Sequence, residues 1–192
     1  MRSRMRVFRQ GLLVAGAISI SLALAAPAMA QTGGVPTPGE SDPPPSSTPA
    51  PTVPGARAKL KRNGKAIAPA GAPQAVINAI AAGNRIRKKP YIYGGGHSSF
   101  EAKGYDCSGA VSYVLNAAGV LSSPMPSGPL MRWGSPGKGG WITVFANGGH
   151  AYMVVAGLRF DTSAMGSGGN GPRWRPTKRS PRGFAVRHAE GL

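Results

Sequence analysis

Gly104-Tyr105-Asp106-Cys107-Ser108-Gly109, running into the apolar segment Ala110 to Ala118 and closed by Gly119, is the stretch on which the reading of this chain turns. Val111, Val114, Leu115 and Ala118 fall at the i, i+3, i+4, i+7 spacing of one buried helix face, and Gly119 is a stop signal. The spacing predicts a helix over Cys107–Ala118. Cys107 is the only cysteine in 192 residues. In a first helical turn, unpaired N–H groups and the positive end of the macrodipole favour the thiolate, which makes the sulfur a nucleophile near neutral pH. A buried, inert thiol is the competing reading of any single cysteine. The setting after Asp106 and before Ser108-Gly109, at a helix start, favours the nucleophile, and Asp106 itself fits the N-cap.

Upstream of this stretch, Val76, Ile77, Ile80 and Ala81 form a short apolar stripe, with Pro73 suited to a first turn and Gly83-Asn84 as an end signal. Lys88 to Tyr93 then reads as an extended aromatic segment that enters a flexible loop at Gly94-Gly95-Gly96. Downstream, Ser122 to Gly140 carries Pro124, Pro126, Pro129 and Pro136 and reads as a long irregular loop of the kind that walls a cleft. The period then becomes strand-like. Trp141–Ala146, His150–Val155 and Leu158–Thr162 are expected strands, separated by the turn Asn147-Gly148-Gly149 and by Gly157. Phe184–Arg187 is a fourth, after a glycine- and arginine-rich excursion from Gly166 to Arg182. A helix, a nucleophile helix and a meander of antiparallel strands make an α+β domain over 73–192, about 120 residues and long enough for one core.

The N-terminal part reads differently. Arg2, Arg4, Arg6 and Arg9, the apolar run Gly11 to Ala25 and the small-residue site Ala28-Met29-Ala30 have the form of a signal peptide over 1–30, with Gln31 as the new terminus. No later run is apolar enough for a membrane span. Gln31 to Gly55 is rich in Pro, Ser, Thr and Gly, and Ala56 to Ala70 continues with Arg57, Lys59, Lys61, Arg62 and Lys65. Residues 31–72 are therefore expected to be a disordered linker and basic arm. Cleavage after Ala30 leaves 19 Lys and Arg against six Asp and Glu, a net charge of +13. Such a balance attracts polyanions, and export favours envelope polymers over nucleic acid.

A thiolate needs a base within reach and a group to orient that base. Of His97, His150 and His188, the best placed is His150, which opens a strand directly after Gly148-Gly149. Asp161, on the neighbouring strand across Gly157, is the natural orienter, with a partner role for Arg159 as the structural alternative. One cysteine and three scattered histidines show no metal-ligand spacing, so neither metal nor cofactor is expected.

Pro90-Tyr91-Ile92-Tyr93-Gly94-Gly95, then Asp106-Cys107-Ser108-Gly109, then Gly149-His150 at a strand, resembles the NlpC/P60 cysteine peptidases, papain-like hydrolases of bacterial cell-wall peptides. The order and spacing match from Pro73 to Thr162. The resemblance implies a nucleophile helix packed on an antiparallel sheet, with Cys107 as nucleophile, His150 as base and then acid, and Asp161 at the third position, where the family most often has histidine. It implies Tyr91, Asp106 and Ser108 as substrate-binding residues. It further implies an exported endopeptidase, located outside the cell or in the wall, that cuts peptidoglycan stem peptides at a γ-D-glutamyl bond to a diamino acid. No membrane insertion is expected after signal cleavage, and a monomer is expected. The chain departs from the family at Lys138-Gly139-Gly140, where an acidic Gly-Asp element is usual, and in 166–182. An amidase or acyltransferase on another envelope substrate, and a secreted anion-binding module using Trp174 between Arg173 and Arg175, are the alternative readings.

Overall fold

A computed structural model describes residues 51–163, 171–176 and 178–192. The signal peptide and most of the linker expected from the sequence lie outside the described residues. Three short strands come first: β1 (Thr52–Val53), β2 (Lys59–Leu60) and β3 (Ala66–Pro69). Helices α1 (Gln74–Ile86), α2 (Cys107–Ala117) and α3 (Ser127–Leu130) follow, and the remainder is strand: β4 (Ser135–Pro136), β5 (Ile142–Ala146), β6 (Ala151–Val155), β7 (Leu158–Asp161), β8 (Arg173–Arg175) and β9 (Ala185–His188). The fold is α+β, with the cysteine-bearing helix packed on an antiparallel sheet, as the sequence predicts.

The nine residues from Cys107 to Leu115 are all buried. One buried face was expected, but α2 is enclosed on every side over Cys107–Leu115, by α1 on one and by β6 and β7 on another, and only Asn116 is exposed. A helix in that position must satisfy its own polar groups. Ser112 does so by donating from Oγ to the Met125 carbonyl at 3.1 Å and accepting the Met125 N–H at 3.0 Å. That pair ties the proline-rich stretch 122–140 to the helix.

The main sheet has the order β4-β9-β5-β6-β7-β8. Alternation along β5 to β7 sends Ile142, Val144, Met153, Val155 and Phe160 into the core beneath α1 and α2. Between β6 and β7 the loop is two residues, Ala156 (φ 45°) and Gly157 (φ 80°), the left-handed pair of a tight hairpin turn. This turn pairs Val155 with Leu158 and Met153 with Phe160. The same register carried onward sets His150 opposite Ser163 and diagonal to Asp161.

Three expectations are corrected. Residues 52–69, read as part of a solvated arm, form a three-stranded sheet, with β3 parallel to β1 and antiparallel to β2. Ala58, Ala66 and Ala68 are buried, and the Ala58 N–H donates to the Ala156 carbonyl at 2.8 Å. Small alanines escape a search for large apolar residues. Second, α1 does not stop at Gly83-Asn84. Gly83 is the point at which the helix meets Trp174, whose ring a Cβ would strike. Asn84 ties three elements together, accepting from the Ala66 N–H at 2.8 Å and Trp174 Nε1 at 3.1 Å, and donating to the Ala66 carbonyl at 2.8 Å. Third, the arginine-rich excursion contains β8, and Trp174 is a core residue 4% exposed, packed on Phe160. It is not a surface available for polymer binding.

Candidate active site

Asp106 organises the start of α2. As N-cap it accepts the Gly109 N–H on Oδ1 at 2.8 Å, and its carbonyl accepts the Ala110 N–H. Its Oδ2 accepts the Gly94 N–H at 3.1 Å, and the Asp106 N–H donates to the Gly95 carbonyl. The glycine triplet is therefore not a flexible loop but a strap across the helix start. A Cβ on Gly109 would strike the Gly95 carbonyl and one on Gly95 the Gly104 carbonyl, and Gly96 (φ 85°) turns the strap against Tyr105. With Gly109 and Ala110 occupied, the N–H groups of Cys107 and Ser108 remain as donors at the helix end.

The Cys107 thiol has two polar neighbours, the His150 ring and the Ala151 N–H. Burial pushes the thiol up, but hydrogen bonding to His150 and Ala151 and the charge of His150 outweigh it, so the net shift is below an ordinary cysteine. His150 is oriented by backbone and carboxylate together. Its N–H donates to Asn147 Oδ1 at 2.9 Å, fixing the turn before β6. Its Nε2 lies 3.0 Å from Asp161 Oδ1 and 3.1 Å from Ser163 Oγ. Burial lowers the imidazolium's stability, whereas Asp161 and Cys107 raise it, to a pKa of about 9. The ring is charged at neutral pH.

Asp161 is enclosed, with no exposed side-chain surface. Beyond His150 it accepts the Ser163 N–H at 2.9 Å on Oδ1 and Arg179 Nη1 at 3.1 Å on Oδ2, while Arg159 Nε stands 3.4 Å from Oδ2. Burial opposes the carboxylate, but His150, the Ser163 N–H and Arg179 hold it at about 2. Asp161 thus contacts both His150 and Arg159, the partners its two readings named. Arg179 also donates to Ser163 Oγ at 2.8 Å and lies over the Tyr152 and Phe184 rings at 5.3 Å.

Of the residues singled out in the sequence, Cys107, His150 and Asp161 come together. Asp106 and Ser108 flank the thiol but face inward, 4% and 2% exposed. Ser108 Oγ donates to Asp106 Oδ1 at 3.2 Å. Tyr91 is exposed at the rim, its hydroxyl pushed up by burial and by the neighbouring Cys107 and Asp106 charges. Sequence reasoning missed three residues. His97, passed over as a loop histidine, places Nε2 at 2.9 Å from Asp106 Oδ2 and 2.9 Å from Ser108 Oγ. Ser163 was detectable as an Asx-type partner two residues after Asp161. Arg179 had no local signal. Among the described residues no three His, Cys, Asp or Glu side chains converge as a metal site, and no helix is long and apolar enough to cross a membrane.

No protein-family model and no curated protein matches the chain. Among solved structures it is similar to Rv1477, a hypothetical invasion protein of Mycobacterium tuberculosis, at 23% identity and TM-score 0.44, over 59% of this chain and 62% of that one. It is also similar to variants of the resuscitation promoting factor interacting protein RipA, at 22% and 23% identity, TM-scores 0.43 and 0.44, and 60% and 59% of this chain. The chain spans 62% of the length of each of these structures.

Proposed function

We propose that the chain is an exported cysteine endopeptidase of the NlpC/P60 type that hydrolyses peptidoglycan stem peptides, with Cys107 as nucleophile, His150 as general base and acid, and Asp161 as orienter. The observation that carries this reading is the His150 ring held between the Cys107 thiol and the buried Asp161 carboxylate at the N-terminus of α2, whose first nine residues are all buried. A structural cysteine has no use for such an arrangement.

The thiolate attacks the scissile carbonyl carbon, and the oxyanion is received by the Cys107 and Ser108 N–H groups at the positive end of α2. His150 gives its proton to the leaving amine, so the C–N bond breaks and a thioester remains on Cys107. The ring then takes a proton from water, the hydroxide displaces the thiolate, and the acid product leaves. Asp161 keeps the ring protonated before attack and fixes its plane. Tyr91 at the rim receives the substrate's amino end, and Asp106 and Ser108, which face inward, act on it through His97, which both contact. The bond cut is the γ-D-glutamyl bond to a diamino acid.

Export places the enzyme at its substrate. The leader is removed after Ala30, and the net charge of +13 holds the protein on anionic wall polymer. Amino-terminal sequencing of the secreted protein reads from Gln31.

Incubation with purified sacculi, followed by mass spectrometry of released peptides, tests the activity. Wild type is expected to release stem-peptide fragments with new amino ends at the diamino acid. Identical products from wild type and Cys107→Ala would end the peptidase reading, and products carrying other new ends would reassign the bond.

A further inference from the structure

The sheet face opposite the helices holds a second feature. Cross-strand register places Thr143, Val154, Arg159 and Arg175 in one row and Phe145 beside Tyr152 in the next. Over these rows lies a cavity of about 360 Å³ that none of Cys107, His150 and Asp161 lines. Its cations are Arg57, Lys138, Arg159, Lys178 and Arg179, and among the described residues no Asp or Glu lines it. The carboxylate beside it, Asp161, is already engaged by His150, Arg159 and Arg179.

Arg159 and Arg175 are buried cross-strand partners, 2% and 9% exposed, and Asp161 is the anion beside them. One further observation points to a ligand. Tyr152 lines the cavity and is 1% exposed, yet its hydroxyl has no hydrogen-bond partner among the described residues. Buried hydroxyls of that kind are uncommon in folded proteins.

We propose that this cavity is a binding site for a phosphate ester, the phosphate received by Lys138, Lys178 and the arginines, and the carbon body lying against Trp141 and Tyr152. Charge decides between anions. A carboxylate brings one negative charge to Arg57, Lys138 and Lys178, the lining cations that do not engage Asp161, whereas a phosphate monoester brings about −1.5 to −2 and three acceptor oxygens. Volume decides against a bare ion, because pockets of about 300 Å³ and upward take organic molecules. The aromatic wall, Phe145 stacked on Tyr152 at 4.6 Å with Trp141 alongside, gives the body of the ester an apolar surface. Arg179 belongs both to this cavity and to the carboxylate that orients His150, so the two sites share a side chain.

Isothermal titration calorimetry on the full chain at fixed ionic strength tests the site, with glucose 1-phosphate as free ester, poly(glycerol phosphate) as polymer, and glucose and acetate as controls. Saturable binding of glucose 1-phosphate is expected, with none for glucose and weaker binding for acetate. Lys138→Ala with Lys178→Ala, both exposed and outside the proposed catalytic group, is expected to weaken binding by about tenfold or more, and Tyr152→Phe by a smaller factor. Loss of poly(glycerol phosphate) binding in the same double variant would show that the same cations also hold a phosphodiester. No saturable binding of either phosphate, equal binding of acetate, or unchanged affinity in the double variant with native circular dichroism would overturn the proposal. Cys107→Ala is expected to bind as wild type, so failure of the peptidase reading leaves this one standing, and the reverse.

Discussion

At Cys107 the opposing terms can be separated by pH. Burial alone would make the thiol inert, and it is the His150 ring and the Ala151 N–H that bring it below an ordinary cysteine. Alkylation by iodoacetamide is therefore expected to stay fast below the usual thiol range in wild type and to slow in His150→Ala. Asp161 controls the other limb. Together with Cys107 it raises His150 to about 9, so loss of its charge in Asp161→Asn is expected to move the alkaline limit of activity down by roughly one to two pH units. An alkaline limb that stays near pH 9 in that variant would remove Asp161 from the role of orienter. The same pair sets stability. Asp161, lowered to about 2, contributes above its ordinary 3.8 and loses that contribution as pH falls toward 2. His150, raised to about 9, contributes fully below 6.5 and loses it as pH rises through 9. Both contributions are complete only between roughly pH 4 and 6.5.

At the scale of elements, the strap Gly94-Gly95-Gly96 and α2 depend on contact without side chains. Gly109→Ala drives a Cβ into the Gly95 carbonyl, so a loss of about 3 kcal/mol is expected, with the N-terminus of α2 displaced and activity lost along with it. Gly119→Ala is the control. It has open space and only a positive φ of 78° to strain, so it is expected to cost about 1 kcal/mol and to leave activity intact, as chemical denaturation would measure. Equal costs at the two positions would mean that the close approach is not what holds the strap. What could be read from the sequence followed the same division. Strands β5, β6, β7 and β9 announced themselves by alternation, and α2 by its apolar spacing. The register that joins His150 to Asp161 did not, because it is set at Ala156-Gly157, where an alanine in a left-handed conformation hides the turn signal. Strand β8 was hidden because Arg173 and Arg175 flank Trp174, so its inward residue looked like an aromatic in a basic tail. Arg179 reaches Asp161 from 18 residues away by a path with no regular period.

For the molecule as a whole, the question is where the fold begins. The sequence places the start at Pro73, yet Ser47–Leu192 is one compact unit and three ties join residues 52–69 to the rest of it. Ala58 donates to Ala156 in the turn that sets the His150–Asp161 register, the Arg57 guanidinium packs on Gly157 of the same turn, and Asn84 holds both Ala66 and Trp174. A chain begun at Pro73 loses the two Asn84–Ala66 hydrogen bonds and the cover over Ala156-Gly157. At about 1 kcal/mol for each lost hydrogen bond plus the exposed alanines, the expected loss is about 3–5 kcal/mol. For a unit of this size that lowers the melting temperature by about 10–20 °C, whereas a chain begun at Ser47 is expected to melt with the full chain. Differential scanning calorimetry of the two truncations separates the cases, since a mere tether would leave their melting temperatures equal. Activity carries the argument one step further. If the small sheet steadies the turn that sets the His150–Asp161 register, the chain begun at Pro73 is expected to lose the proposed turnover at temperatures at which it is still folded.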